Sequence, residues 1–415
     1  MTNKITIIGA GVIGAATALI LQQRGHEVLL LDREWPSAGA SFGNAGAIVN
    51  GSCVPTATQG ILFDAIKMLS QSNSPLCIRP SYLPKALPWL VRFMWQSRTS
   101  LVNKNALNLH ALSQHAVQSW RKLTQGTILS RFFNAKGWLK VYQSDQGFDG
   151  TLGSRQLLDQ MGTKYQCLNA SEIHDLEPHL APSFKHGFFQ EDSLNVNDPQ
   201  LLVQGMVDLL VKRGGHYQQF NVDAIQESNG VIQLKGKSGE LHCKKVVIAT
   251  GAWSRGLAKQ LGDDIPLESE RGYHLMLPES THSLISRPIV NGENDFVLSP
   301  MNKGIRITSQ VEFAGLHAPP DYSRIRKLLP MAKHMLPKLE IHEESVWLGH
   351  RPSLPDSLPV LGFSSSSQNV VYAFGHQHLG MTLAVISGDI IADLLSNEAP
   401  RVPIFPYRAN RFGLL

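Results

Sequence analysis

Residues 4–32 read KITIIGAGVIGAATALILQQRGHEVLLLD, and the rest of the chain is organised around them. The pattern predicts an apolar strand over Ile5 to Ile8, a glycine turn, a helix with small residues on its packing face, and a second apolar strand over Val28 to Leu31 ending in Asp32. In the turn Gly9-x-Gly11-x-x-Gly14, the first glycine permits the tight bend, the second lets a pyrophosphate approach the backbone, and the third lets helix and strand pack closely. The helix N-terminus, with free N–H groups and the positive end of the dipole, suits that anion. Asp32, eighteen residues past Gly14, is placed to accept hydrogen bonds from a ribose diol. An ADP-containing dinucleotide is the implied ligand. The strand-turn-helix-strand-acid context separates this fingerprint from an ordinary glycine-rich turn.

Working outward, the 415 residues, 43% hydrophobic and 17% charged, can bury a large core and suggest two domains. The net charge of +5 comes without a dense Lys/Arg run, which argues against nucleic-acid binding. Cys53, Cys77, Cys167 and Cys243 lie far apart, with no CxxC or metal spacing, as suits free thiols in a reducing compartment. The apolar run from Ile5 to Leu21 carries glycines at fingerprint spacing and exits into QQRGHE, unlike a signal or membrane segment. The expectation is a cytoplasmic protein, or one peripheral on the inner face of the cytoplasmic membrane.

Past Asp32 and Arg33, the loop SAGASFGNAG (Ser37 to Gly46) reads either as a flexible loop or as a second wall around a flat cofactor, its glycines and Asn44 baring backbone amides. Ser74 to Ser97 has prolines at 75, 80, 84 and 88, expected to break regular structure before a short amphipathic helix with Trp89, Phe93 and Trp95. That helix is either an interfacial patch meeting a membrane or quinone, or an internal helix under a loop. One helix is predicted over Asn105 to Gln125, a strand over Trp138 to Tyr142, a capped short helix over Ser171 to Pro178, and a helix over Gln200 to Lys212 opened by Asn197-Asp198-Pro199. KKVVIATG (Lys244 to Gly251) reads as a buried parallel strand entering a small-residue turn, which brings more backbone against the cofactor. Pro266 to Val311 alternates strands and turns, predicting an antiparallel sheet with one wet face. Tyr322 to Leu336 is predicted helical, Val370 to Phe374 a strand, and GHQHLGMT (Gly375 to Thr382) leads into a last helix over Leu383 to Leu395.

Together the N-terminal fingerprint, SFGNAG, EP followed by NDP, VVIATGAWS, ERGYH, HRPSLPDSLPVLG and GHQHLGMTLA resemble the glycine oxidase/D-amino-acid oxidase superfamily of FAD enzymes, most closely its bacterial D-amino-acid dehydrogenases. The resemblance implies an α/β plus α+β fold: a glutathione-reductase-like FAD-binding domain (1–56 with 195–262 and 345–415) with an inserted, mainly antiparallel-sheet substrate domain (57–194 with 263–344). It implies FAD as cofactor, held by Gly9, Gly11, Val12, Ile13, Gly14, Asp32 and Arg33, by Ser41, Asn44, Ala45 and Gly46, by Val222, Thr250, Gly251 and Trp253, and by Gly375, Gly380, Met381 and Thr382. Broad-substrate members carry a motif similar to GHGTLGWT where this chain has GHQHLGMT, while ERGYH resembles dehydrogenases of D-proline or cis-4-hydroxy-D-proline. The implied reaction is oxidation of a D-amino or cyclic D-imino acid to an imine, with electrons passed to a quinone or other carrier. An oxygen-using oxidase, a nicotinamide dehydrogenase and a non-enzymatic subunit stand as alternatives.

For such a reaction the protein must clamp a carboxylate, and a planar guanidinium does so bidentately. Arg351 and then Arg271 match positions where the family keeps such arginines, each alternatively a structural ion pair. Tyr273 offers a hydroxyl to the carboxylate or is a plain strand aromatic. The amine must be neutral before hydride leaves, so a histidine titrating near neutrality would help, and His274, His350, His376 and His378 are the candidates. Gly380-Met381-Thr382 opens the last helix, whose amides would face the negative charge that reduction brings.

Overall fold

The computed structural model describes residues 4–58 and 76–413. Ser74 and Pro75 of the proline-dense segment, with the rest of 59–75, lie outside the described residues. The fingerprint folds as β1 (Lys4–Ile8), α1 (Val12–Gln23) and β2 (Glu27–Asp32). These belong to a six-stranded sheet ordered His216–Gln219, β2, β1, Lys245–Ile248, Val370–Phe374, Val360–Phe363, parallel except for the last pair. Strand ends from distant parts of the chain, at Gly9 and Ala249, thereby meet along one sheet edge.

Gly388 lets the final helix, Gly380–Leu395, pack closely against α1. A Cβ at Gly388 would sit 2.7 Å from Ile20 Cδ1 and 3.2 Å from the Thr17 backbone. Leu19, Leu21, Leu383, Ile390 and Ile391 are fully buried around this contact, each contributing ~1.5–3 kcal/mol by leaving water. Burial also explains why Gln377–Leu395, long and apolar enough to cross a membrane, is a core element here.

The second sheet has nine strands, mainly antiparallel, running Ser345–Ser353, Glu268–Met276, Gly304–Phe313, Phe296–Met301, Ile289–Asn291, Trp138–Tyr142, His186–Gln190, Gln166–Asn169, with Leu76–Ile78 paired to Gly304–Phe313. The expected wet face is absent along Glu268–Met276, which is buried at every position. Leu275 packs on a core with Ile325, Ala332 and Met335 on one side, while Glu270 and Gly272 face a cavity on the other. A third sheet, Ala224–Ser228, Val231–Gly236 and Gly239–Cys243, was not anticipated.

Three helices depart from expectation. The single helix over 105–125 is two, Thr99–Ser113 and Ala116–Thr124, broken at Gln114-His115. The break re-aims the second so that buried Trp120 donates from Nε1 to the Met381 carbonyl at 2.8 Å. Tyr322 to Leu336 likewise divides, into Ser323–Arg326 and Leu329–Met335. The prolines at 84 and 88 lie inside a helix, Leu83–Gln96, rather than before it. Pro84 sits in the first turn, where no N–H is needed, and Pro88 forfeits one bond only. This helix buries Ala86 and Trp89 and leaves Leu83, Leu87, Val91 and Trp95, at a four-residue spacing, 44% to 51% exposed.

Candidate active site

One cavity of about 1370 Å³ runs from the glycine turn to the inner face of the nine-stranded sheet. That exceeds the ~300–1,000 Å³ usual for a drug-sized ligand and leaves room for a dinucleotide plus a small substrate. At the turn, Gly9 has φ 109° and a Cβ there would lie 2.4 Å from the Ala249 carbonyl oxygen. Gly11, Val12 and Ile13 line the cavity; Gly14 does not, its Cα facing the Gly9 carbonyl. The α1 N-terminus has no side-chain cap from Gly11 and no acid in its first turn, so its positive end is left for an anionic group. Ser41 Oγ accepts from Val12 N–H at 2.9 Å and ties the SFGNAG loop to that end.

The loop is a wall with its own bracing. Asn44 donates to the Ser41 carbonyl and accepts from Gly46 N–H, both at 2.8 Å, while Asn44 and Ala45 line the cavity. Gly46 lies behind them, against the Val196 carbonyl. Arg306 holds the loop from below, Nη1 donating to the carbonyls of Phe42 (3.1 Å) and Asn44 (2.8 Å). Sequence reasoning missed Arg306, although an arginine inside the apolar strand GIRIT was the available signal.

Asp32 lines the opposite wall and accepts from Ala10 N–H (2.5 Å) and Glu34 N–H (3.2 Å), with burial pushing its carboxyl above the usual range. Arg33 stacks its guanidinium 3.8 Å over the Trp253 ring, and Val222, Thr250 and Gly251 complete this end. Gly380, Met381 and Thr382 line the cavity at the start of the last helix; Gly375, φ 86°, is packed on Leu354 away from it. A helix N-terminus with no acid in its first turn, bare glycine backbone and an acid at the second strand's end fit a dinucleotide. Asp32→Ala is expected to weaken cofactor retention roughly 10- to 100-fold, the worth of hydrogen bonds to a charged group, with substrate preference unchanged. Flavin absorbance after dialysis measures it, and full occupancy would remove Asp32 from the ribose.

At the sheet end, Arg351 lines the cavity and its Nη1 donates to the Gln310 carbonyl at 2.8 Å. Gly272 makes the space: a Cβ there would lie 2.4 Å from Arg351 Nη2. Gln310 has φ 75°, beside the register shift between Arg271 and Tyr273, so a strained bulge turns its carbonyl to the guanidinium. Glu270, opposite Arg351 on the next strand, faces the same space; burial pushes its carboxyl up and Arg351 offsets this.

The structure does not bring Arg271 to the cavity. It is fully buried, Nε 3.3 Å from Glu312 Oε2 but outside hydrogen-bond geometry, and Nη2 donates to the Pro319 carbonyl at 3.1 Å. Glu312 also accepts from Arg79 Nε (2.7 Å) and from the Tyr273 hydroxyl (2.5 Å), so Arg271 serves a buried ion-pair hub. The Tyr273 hydroxyl is committed to the protein, donating to Glu312 and accepting from Asp321 N–H at 3.1 Å, so it is not offered to a substrate.

None of the four imidazoles titrates near neutrality. His274 is held to about 3 by burial and Arg306, hydrogen-bonded through Nδ1 to the Gly43 carbonyl and stacked on Trp347 outside the cavity lining. His376 is held to about 3 by burial and pairs with Ser387 Oγ at 2.9 Å. His350 and His378 lie at about 4, burial first and the Arg271 and Arg351 charges respectively next. His378 exposes its ring, but toward the cavity, where surrounding protein still disfavours the cation. Because these shifts are downward, all four stay neutral from pH 5 to 8. The kcat/KM profile over that range is expected to show no limb that vanishes in His376→Gln or His378→Gln; such a limb near the ordinary histidine pKa would contradict it.

Residues 4–394 match the family model described as DAO, FAD dependent oxidoreductase. The chain is 35% identical over 418 residues to a protein named D-amino-acid oxidase from Bradyrhizobium diazoefficiens, covering 99% of each. It is 28% identical over 406 residues to D-amino acid dehydrogenase 1 of Mesorhizobium japonicum, covering 96% of this chain and 97% of the relative. Among solved structures, glycine oxidase from Bacillus cereus superposes with a TM-score of 0.71 at 21% identity over 100% of both chains. L-proline dehydrogenase from P. horikoshii superposes with 0.73 at 17%, over 99% of this chain and 98% of that one. These two likenesses show the shared fold. FAD is accordingly its cofactor, and the chain belongs to the DAO family of FAD-dependent oxidoreductases.

Proposed function

We propose that this protein oxidises a D-amino or cyclic D-imino acid to the imine, with D-proline or cis-4-hydroxy-D-proline as the leading substrate. The observation that carries the reading is the Arg351 guanidinium, set into the cavity over Gly272 and oriented by the Gln310 carbonyl. A clamp so fixed suits a carboxylate and sets which face of the α-carbon is presented. FAD, when bound, supplies the hydride acceptor. The neutral imidazoles of His376 and His378 add no cation to repel a substrate ammonium, and the N-terminus of Gly380–Leu395 directs a positive dipole end at the cavity. The relatives named D-amino-acid oxidase and D-amino acid dehydrogenase support the substrate class. The six-stranded sheet, with 1–56, 195–262 and 345–415, is taken as the FAD-binding domain and 57–194 with 263–344 as the substrate domain.

Electrons are proposed to leave to a quinone at a membrane surface. The exposed stripe of Leu83, Leu87, Val91 and Trp95 carries Lys85, Arg92 and Arg98 alongside, with no acid from Leu76 to Lys104. Leu83 and Leu87 of the stripe also line the cavity, with Leu90, Phe93 and Met94 of the same helix, so the stripe runs from the surface to the cavity mouth.

The test is anaerobic bleaching of the visible flavin spectrum by cis-4-hydroxy-D-proline, D-proline, D-alanine, D-arginine, sarcosine and L-proline. Rapid bleaching by the D-imino acids alone supports the cyclic substrate; bleaching by D-alanine or D-arginine keeps the class and sinks that specificity. Stoichiometric hydrogen peroxide in air, without reduction of an added quinone, would replace dehydrogenase with oxidase.

A further inference from the structure

Beyond Arg351, the cavity has a second polar region with no part in holding a substrate carboxylate. Lys140 sits mid-strand in Trp138–Tyr142, between Leu139 and Val141, which turn into the opposite core. By strand alternation Trp138, Lys140 and Tyr142 share the other face, and all three line the cavity. The pairing Lys140↔Val290↔Val297↔Thr308 carries that row across the sheet, and the Thr308 hydroxyl is buried without a hydrogen-bond partner. Asp295, at the turn before Phe296–Met301, joins the same wall. It holds φ 50°, and its backbone carbonyl accepts from Ser309 Oγ at 2.6 Å.

Among the described residues, no hydrogen bond or ion pair joins the Lys140 ammonium, the Tyr142 hydroxyl or the Asp295 carboxylate to the protein. Lys140 and Asp295 are nevertheless near enough to act on each other. Surrounding protein pushes Lys140 down and Asp295 up, and each charge offsets the other's shift. Arg351 and Lys140 both act on His378, so the clamp and this region bracket one stretch of cavity. A carboxylate side group would meet Lys140 but be repelled by Asp295, and an ammonium group the reverse. An apolar group would leave both unpaired. A group that accepts from the ammonium and donates to the carboxylate satisfies both.

We infer that Lys140 and Asp295 form the side-group receptor of this site and select substrates bearing a neutral group that both accepts and donates a hydrogen bond, as a hydroxyl does. This deepens the proposed amino-acid oxidation and rests on it. The experiment compares kcat/KM for two matched pairs, cis-4-hydroxy-D-proline against D-proline and D-serine against D-alanine, in wild type, Lys140→Met and Asp295→Asn. Asparagine tolerates the left-handed backbone at 295, so that variant changes charge and not fold. FAD content and Tm verify both proteins. Each substitution is expected to lower the hydroxylated-to-plain ratio about 10- to 100-fold, as befits a hydrogen bond to a charged group, with the loss falling on the hydroxylated member. A ratio that stays put, or equal losses in both members, overturns the receptor while leaving the oxidation standing. Failure of every D-amino and D-imino acid to bleach wild-type flavin overturns the proposed function itself, a different signature, and the receptor with it.

Discussion

Arg351→Ala is expected to keep FAD bound and to lower kcat/KM for every amino-acid substrate by about 30- to 5,000-fold, corresponding to the roughly 2–5 kcal/mol lost when one partner of a buried, hydrogen-bonded charge pair is truncated. The substrate carboxylate would lose its clamp, and Glu270, whose burial Arg351 now offsets, would be left as a carboxyl facing that carboxylate. Arg351→Lys should recover little, because an ammonium is a point charge without the planar fork. A companion variant separates position from charge. In Gly272→Ala the new Cβ would fall 2.4 Å from Arg351 Nη2 and push the guanidinium from its place without removing it. The same kinetic loss with normal FAD content is expected there. Steady-state kinetics alongside flavin absorbance checks both, and unchanged kinetics in Arg351→Ala would remove this residue from the site.

Why Arg351 and not Arg271 reaches the cavity shows how far the sequence could be read. The two arginines lie on adjacent strands in a register that pairs Arg271 with His350 and Glu270 with Arg351. Side chains alternate across a strand, so a one-residue difference sends the two guanidinium groups to opposite faces. The motifs ERGYH and HRP name both arginines, but their parity is set by the sheet. The nucleotide turn was legible because its glycines answer to backbone geometry within a few residues. The break at Gln114-His115 was not, since no proline or glycine marks it and the contact from Trp120 to Met381 is tertiary. The unanticipated third sheet did carry a local signal: Asn229 and Gly230, φ 51° and 73°, turn between alternating strands, the Asn-Gly hairpin pattern. Lys140 and Arg306 were visible as charges inside apolar strands, a pattern that asks for a partner outside the sheet.

Gly14→Ala should yield protein without FAD, or little soluble protein at all, whereas Gly11→Ala should fold normally and bind FAD more weakly. The contrast follows from what each new methyl meets. At Gly14 it falls 1.8 Å from the Gly9 carbonyl oxygen, a backbone atom that cannot rotate out of the way, and the helix cannot slide away. Its far face is pinned by Gly388 against Ile20 and Thr17, and a second side packs on the helix Pro199–Lys212. Moving α1 would also carry off the Val12 amide that holds Ser41, and with it the SFGNAG wall. Overpacking of this kind costs roughly 1–3 kcal/mol or more, and loss of the cofactor removes the further stabilisation that binding to the folded state gives. At Gly11 the methyl meets only Ser41 Oγ, at 3.2 Å, at the cavity wall proposed to receive the phosphates. Thermal melts with and without added FAD separate the cases. A Gly14→Ala protein with full flavin and an unshifted Tm would show that the close helix–strand approach is not what the cofactor site depends on.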